Sequence, residues 1–394
     1  MIFLIKMAGT GGHGNMITGL KLNYYTLRTL PKESKLSYKI IIKTFDDKND
    51  PEIKFYKLAN RLGKDQPQFD DDGNQIDTIK ADPVFQELLK WMPEYLGVFD
   101  IDNLKEKLDE KSYNKVKAMK DVPKAFLIIE DITYKDSINK IDLKMGTRRF
   151  DSSAIAKHLK CEEHEDKGKT KLQTQTDKRD KNKMIKKWGV NIVAGKAPWV
   201  KKCLNKSDEF ITCIMGGKDY KEKTYEDVKN SLLDIFLPPP NDKINLINIL
   251  KYKLEDIKEM FEEVLSIHGL HFFSSSLFIT LDKDRTMMKI RMIDFAHVEV
   301  KCKYIKVNGN DYFTGLPTFT KELEANKECN VCKDKVCKGK TPNLIDNEDL
   351  KYDDGYIEGL ETLLKMIEEK KKELSDQPAQ LPSERSRDGY KIKF

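Results

Sequence analysis

Phe272-Phe-Ser-Ser-Ser-Leu-Phe-Ile-Thr-Leu281 and Met287-Met-Lys-Ile-Arg-Met-Ile-Asp-Phe295 flank the polar tetrapeptide Asp282-Lys-Asp-Arg285. Two runs rich in β-branched and aromatic residues around a short polar turn predict a β-hairpin. With the turn centred near Asp284, Ser276 at the start of one strand is expected to face Asp294 at the end of the other. A hydroxyl beside a carboxylate is a pair of hard oxygen ligands, which suits Mg²⁺ held together with substrate phosphates.

Outward from the hairpin, strands and helices both occur, which predicts an α+β protein. Tyr38–Phe45 reads as a strand, with Lys43 at its end. Asp50-Pro51 is a helix start, and Gly63 stops the helix that runs to Leu62. Asp65–Asp77 reads as a polar loop, Pro83–Trp91 as a helix, and Ala125–Ile132 as a buried strand with Glu130 and Asp131 near its end. Helices are predicted over Tyr225–Phe236, where Pro238–Pro240 end it, and over Leu246–Ile267. Residues 376–394 read as a polar tail.

The composition narrows the function. Among 394 residues, 35% are charged, yet the formal net charge is only +6, so bulk charge does not make this a nucleic-acid binder. No apolar run reaches the roughly 18 residues of a membrane span, and the opening Met1–Ile5 run is too short for a signal peptide. Seven scattered cysteines fit a reducing compartment, so an intracellular protein, cytoplasmic or nuclear, is expected. Gly9-Thr-Gly-Gly-His-Gly14 formally fits a dinucleotide fingerprint but lacks its strand and its acid, and reads as a turn. Cys329, Cys332 and Cys337, with Cys302 or a histidine, have zinc-like spacing without a second C-x-x-C, and read as an exposed loop. Between Lys167 and Lys187 there are nine Lys or Arg and only three apolar side chains, Leu172, Met184 and Ile185, which reads as a solvated insertion.

Phosphoryl transfer needs a lysine for the nucleotide phosphates, a carboxylate for the metal and a group that positions the nucleophile. Lys43 on a strand and Glu52 on the next helix stand in the relation in which a kinase lysine pairs with a helix glutamate. Asp142-Leu-Lys144-Met-Gly146 puts an acid and a base on one face of an extended segment. Asp294-Phe-Ala-His297 puts an acid where an apolar strand surfaces.

Together these blocks resemble the inositol polyphosphate kinase family. In order they are Gly11-Gly-His13; Ile42-Lys43 with Glu52 and Phe55-Tyr56; Pro93-Glu-Tyr-Leu-Gly-Val98; Glu130-Asp-Ile-Thr133; Asp142-Leu-Lys-Met-Gly-Thr-Arg148; Ser274-Ser-Ser-Leu277; Met292-Ile-Asp-Phe-Ala-His297; and Gly355-Tyr-Ile-Glu-Gly-Leu360. Ile138 departs from the family proline that precedes the acid. The wording of the Asp142 and Asp294 blocks is most similar to the hexakisphosphate kinases.

The resemblance implies a two-lobed kinase-like fold. Residues 1–132 would form an ATP-binding lobe with an antiparallel sheet. Residues 133–375 would form a larger lobe, with an inositol-phosphate segment at about 147–200 and the metal hairpin at 272–298. It implies that Lys43 contacts ATP phosphates and that Glu130 and Ile132 offer backbone groups to adenine. Asp142 would bind ribose or position the attacking group, and Lys144 would bridge the transferred phosphoryl and the substrate. Ser276 and Asp294 would hold Mg²⁺. Arg148, Lys157, Lys160 and His297 would line the inositol site. The implied reaction is γ-phosphoryl transfer from ATP to an inositol polyphosphate, hexakisphosphate first, by a monomer. A multikinase or trisphosphate kinase is the alternative, and a non-catalytic inositol-phosphate or nucleic-acid binder the alternative of another class.

Overall fold

The computed structural model describes residues 15–21, 39–69, 75–118, 124–133, 139–147, 183–196, 223–237, 243–282, 287–300, 304–307, 310–316 and 354–376. Gly9–Gly14, Ile138, Arg148, Lys157, Lys160, the four cysteines above and the tail from Gln377 lie outside these residues.

The elements run β1 (Asn15–Lys21), β2 (Lys39–Phe45), α1 (Pro51–Leu62), β3 (Gln66–Phe69), β4 (Gln75–Ile79), α2 (Pro83–Trp91), β5 (Tyr95–Phe99), α3 (Ile101–Lys107), α4 (Glu110–Lys117), β6 (Ala125–Glu130) and β7 (Asn139–Met145). They continue as α5 (Lys183–Trp188), β8 (Val190–Lys196), α6 (Tyr225–Asn230), a π-helical stretch Ser231–Phe236, α7 (Lys243–Glu259), a second π stretch Met260–Leu265 and α8 (Ser266–His268). The last elements are β9 (Leu270–Phe272), β10 (Ser276–Leu281), β11 (Met288–Ile293), β12 (Val298–Val300), β13 (Tyr304–Val307), β14 (Asn310–Phe313) and α9 (Asp354–Ser375).

Among the described residues two antiparallel four-stranded sheets form, one in the order β1-β2-β6-β5 and one in the order β11-β10-β7-β8. In the first, alternation sends Ile40 and Ile42 with Phe126 and Ile128 to one face, covered by Leu104, Leu108 and Val116 of α3 and α4 and their ends. Lys43 and its partner Leu127 take the other face, toward α1 and the second sheet. β2 lies between β1 and β6, so Lys43 is internal to a sheet rather than at a solvated strand end.

The α1 boundaries are those the sequence predicts: the Asp50 carboxylate accepts the Glu52 N–H, Pro51 opens the helix and Gly63 caps it. Asp82 caps α2 by accepting the N–H groups of Val84 and Phe85. The expected loop at Asp65–Asp77 is instead a short ribbon of β3 and β4. Asp65 closes its base, accepting the Ala81 N–H at 2.9 Å and pairing with Lys80 at 3.1 Å. The two predicted long helices switch to π-type turns partway along, at Ser231 and at Met260. The strand predicted to reach Ile132 ends at Glu130. In the lysine-rich insertion, Met184 and Ile185 are buried in α5, so that end belongs to the core.

Candidate active site

The predicted hairpin forms as β10 and β11, with a register one residue from the expected one: Ser276 faces Ile293, and Asp294 lies just beyond. The pairing is unbroken from Ser276–Ile293 to Leu281–Met288, so the offset is already set at the hairpin turn. Asp294 itself adopts φ 65° and leaves the strand. Beyond Asp294 the ribbon resumes as β9 and β12, where Phe272 faces Val298. Ser274, at φ 57°, turns the opposite strand at the same level.

Aromatic packing fixes the Asp294 turn. Phe295 is fully buried, and its ring lies 5.0 Å from Phe55, 5.4 Å from Tyr56 and 6.0 Å from Phe272. Phe55 and Tyr56 belong to α1, so burying Phe295 draws the end of β11 against the helix that follows Lys43. The Phe295 N–H also donates to Glu52 Oε1 at 3.4 Å.

The charged groups converge there. Lys43 Nζ lies 2.7 Å from Glu52 Oε1 and 3.0 Å from Asp294 Oδ1. Lys144 Nζ lies 3.8 Å from Asp294 Oδ2 and 3.5 Å from Ser276 Oγ. Burial opposes the Lys43 charge, but Glu52 and Asp294 outweigh it and hold the ammonium well above its ordinary range. Burial raises the Glu52 carboxyl despite its contact with Lys43. Asp294 is also desolvated, yet the two lysines hold its carboxyl below the usual value.

Asp142 and Lys144 stand on one face of β7, as predicted, and both are buried rather than forming a surface pair. Cross-strand pairing arranges this face in rungs. Lys144 lies beside Ser276, which faces Ile293; Asp142 lies beside Phe278, which faces Arg291; Lys140 lies beside Thr280, which faces Lys289. Asp142 Oδ1 is buried without a hydrogen-bond partner. Burial first, then the charge of Asp294, pushes the Asp142 carboxyl up to about 6, against the pull of Lys144, Ser276 and Lys43.

The segment after β6 meets the Thr280 end of this face. The Thr280 hydroxyl donates to the Ile132 carbonyl at 3.4 Å, and Lys289 Nζ lies 3.4 Å from Glu130 Oε1. The Glu130 N–H already donates to the Glu94 carbonyl at 2.9 Å, so this backbone donor is committed within the sheet. His297 is half-buried, and its carbonyl accepts the Phe273 N–H at 3.1 Å.

Lys43, Asp142, Lys144, Ser276 and Asp294 therefore share one cleft between the two sheets, with Glu130 and Ile132 toward its other end. Sequence reasoning missed Lys289 and Thr280, which tie Glu130 and Ile132 to the second sheet. The period-two alternation along β10 and β11 was the available signal. Among the described residues no three His, Cys, Asp or Glu side chains group as metal ligands. The donors present, one carboxylate and one hydroxyl, still fit a hard divalent ion that takes most of its ligands from phosphate and water. Among the described residues no helix is long and apolar enough to cross a membrane.

A family model described as inositol polyphosphate kinase matches residues 126–324. Matching solved structures include the inositol phosphate multikinase Ipk2 from S. cerevisiae in complex with ADP and Mn²⁺, at 17% identity and a TM-score of 0.44, covering 83% of this chain and 98% of that one. No curated protein matches.

Proposed function

The chain belongs to the inositol polyphosphate kinase family, and from that premise we propose that it moves the γ-phosphoryl group of ATP onto inositol hexakisphosphate, forming a diphosphate. The observation that carries the transfer reading is the Asp294 carboxylate, set between the ammonium groups of Lys43 and Lys144 and next to Ser276. Two cations and two oxygen ligands at one point of a cleft are what a triphosphate terminus requires.

The rungs give the nucleotide a direction. Base recognition belongs at the Thr280 end, where Glu130 and Ile132 approach, and the phosphates belong at the Ser276 end. Thr280 and Ser276 are four residues apart, about 13 Å at the rise of a strand. Asp142 falls between them, where its unpartnered oxygen would accept a ribose hydroxyl. Lys43 would bind the phosphates, with Glu52 holding it in place. Lys144 would contact the transferred group and the acceptor. A Mg²⁺ ion held by Asp294 and Ser276 would neutralise the charge that develops on the phosphoryl oxygens.

This assignment leaves no side-chain base beside the acceptor. An acceptor phosphate is already ionised and needs none, whereas a ring hydroxyl benefits from one. The similarity of the Asp142 and Asp294 blocks to the hexakisphosphate kinases points the same way. A specific observation favours a second reading: a carboxyl raised to about 6 is well tuned as a general base, so Asp142 would suit a ring hydroxyl and a multikinase activity. In either reading Arg148, Lys157, Lys160 and His297 are proposed to bind the inositol phosphates, in an intracellular, monomeric enzyme.

The test is incubation with Mg-ATP and each inositol phosphate in turn, with separation of the products. A diphosphate from the hexakisphosphate supports the first reading. Phosphorylation of the trisphosphates alone supports the second, and no product from any of them rejects both.

A further inference from the structure

The Gly355-Tyr-Ile-Glu-Gly-Leu360 motif has no part in the phosphoryl-transfer site described above. It forms the first turns of α9, where Gly355 and Gly359 stand one turn apart on one face. Glycine inside a helix is disfavoured relative to alanine, so it marks a place where another group must come close.

The group that comes close is backbone. A Cβ on Gly359 would overlap the Gly189 carbonyl oxygen and lie 2.9 Å from the Met145 terminal methyl. A Cβ on Gly189 would lie 2.7 Å from the Gly359 nitrogen and 3.0 Å from the Gly355 carbonyl oxygen. Gly189 links α5 to β8 at φ 62°, a conformation that favours glycine.

The contact leads to the end of β7. The Gly189 carbonyl accepts the Gly146 N–H at 2.7 Å, and the Gly355 carbonyl accepts the Thr147 N–H at 3.2 Å. From the other side, the Met145 N–H donates to the Ser275 carbonyl at 3.1 Å. The backbone that follows Lys144 is thus held between β10 on one side and Gly189, backed by α9, on the other. The helix cannot retreat, because Tyr356 is fully buried and stacks on Phe261 with ring centroids 4.2 Å apart.

We propose that Gly359, acting through Gly189 and Gly146, is a positioning residue that sets where the Lys144 ammonium stands in the cleft. The proposal rests on the reading that Lys144 serves the transferred phosphoryl and the acceptor. A methyl group on Gly359 displaces the Gly189 carbonyl, Gly146 follows through its hydrogen bond, and Lys144 moves two residues away. Small displacements of a positioned group suffice to lose catalysis. Nucleotide binding is affected less, because Lys43 and Glu52 lie on the other sheet and helix, and Asp142 and the Thr280 end lie further from Gly146 along β7.

The experiment compares Gly359→Ala with Leu363→Ala in the full chain. Leu363 is buried one turn further along α9, so its truncation weakens the helix packing without crowding Gly189. For each variant, Tm, Kd for Mg-ATP by fluorescent-nucleotide displacement, and kcat and KM for the preferred inositol phosphate are measured. The expected result is a fall of about tenfold or more in kcat for Gly359→Ala with Kd for Mg-ATP within about twofold. Leu363→Ala, at an equal or larger loss of Tm, should keep kcat within about threefold. If Gly359→Ala does not fold, Tyr356→Leu loosens the same turn without crowding it and should show the same split in smaller measure. Equal turnover losses at matched Tm, or loss of nucleotide binding in step with turnover, would overturn the proposal. A wild-type chain inactive on every inositol phosphate would overturn the functional reading and the positioning role with it.

Discussion

Lys43 Nζ lies 3.0 Å from Asp294 Oδ1, which joins the interior of the first sheet to the turn that ends β11. The contact spans 251 positions of the chain. Lys144 stands 3.8 Å from the other oxygen of the same carboxylate. One acid therefore sits between two ammonium groups from different sheets, and its negative charge keeps both cations in the cleft.

Asp294→Asn should abolish turnover while leaving the fold intact. Asparagine tolerates the same positive φ, so the turn survives. An amide cannot supply the anionic ligand, and the loss should be about 3–4 kcal/mol of transition-state stabilisation, several hundred-fold. Initial rates at saturating Mg²⁺ check this; substantial activity in the variant would remove Asp294 from the metal site.

Lys43→Ala should lower kcat/KM for ATP by about 30- to 150-fold, the cost of a charge-assisted phosphate contact. It should also destabilise the protein, because Glu52 would be left buried without its cation, a loss of about 3 kcal/mol. Burial already raises the Glu52 carboxyl, and losing Lys43 raises it further. Stability lost by the variant should therefore grow as pH rises through that value. Denaturant midpoints of Lys43→Ala, Glu52→Gln and the double variant form the cycle that isolates the pair.

Asp142→Asn should change the pH dependence of stability. The wild-type carboxyl is raised from 3.8 to about 6, so the folded state binds the proton more tightly than the unfolded chain. Stability is greatest below about pH 4 from this group and falls by about 3 kcal/mol as pH rises through about 6. The amide removes that slope. Urea midpoints at pH 4 and pH 7 should differ less in the variant, while its KM for ATP rises.

Lys144→Ala should lose activity on every inositol phosphate. Lys157→Ala or Lys160→Ala should lose more with the hexakisphosphate than with a trisphosphate, and less at high ionic strength, because salt screens the attraction between a cation and a multiply charged acceptor. The comparison is kcat/KM for both acceptors at two salt concentrations. Equal losses would move the substrate wall toward the Lys167–Lys187 segment.

Local signals in the sequence placed several of the candidate residues on their elements. Asp50-Pro51 and Gly63 fixed both ends of α1, and alternation put Asp142 and Lys144 on one face. Strand register was less legible: Ser276 and Asp294 were expected to be partners, and the pairing is already one position over at Leu281–Met288, where the turn sets it. The β3–β4 ribbon was hidden because its residues are polar and its base is closed by Asp65, a long-range contact that no local pattern carries. Met184 and Ile185 looked solvated among lysines because their burial depends on where α5 packs. The seat of Phe295 among Phe55, Tyr56 and Phe272 was equally invisible, since three separate segments supply it.

The positive φ of Asp294 makes that position serve two incompatible demands. Glycine is the residue most at ease there and carries no carboxylate; glutamate keeps the charge but has little tolerance for the backbone. A saturation library at this position would be ranked differently by a folding reporter and by a kinase assay. Asparagine, which tolerates the backbone but lacks the charge, would score better for folding than for turnover, so stabilised versions of this enzyme are best built with Asp294 held constant.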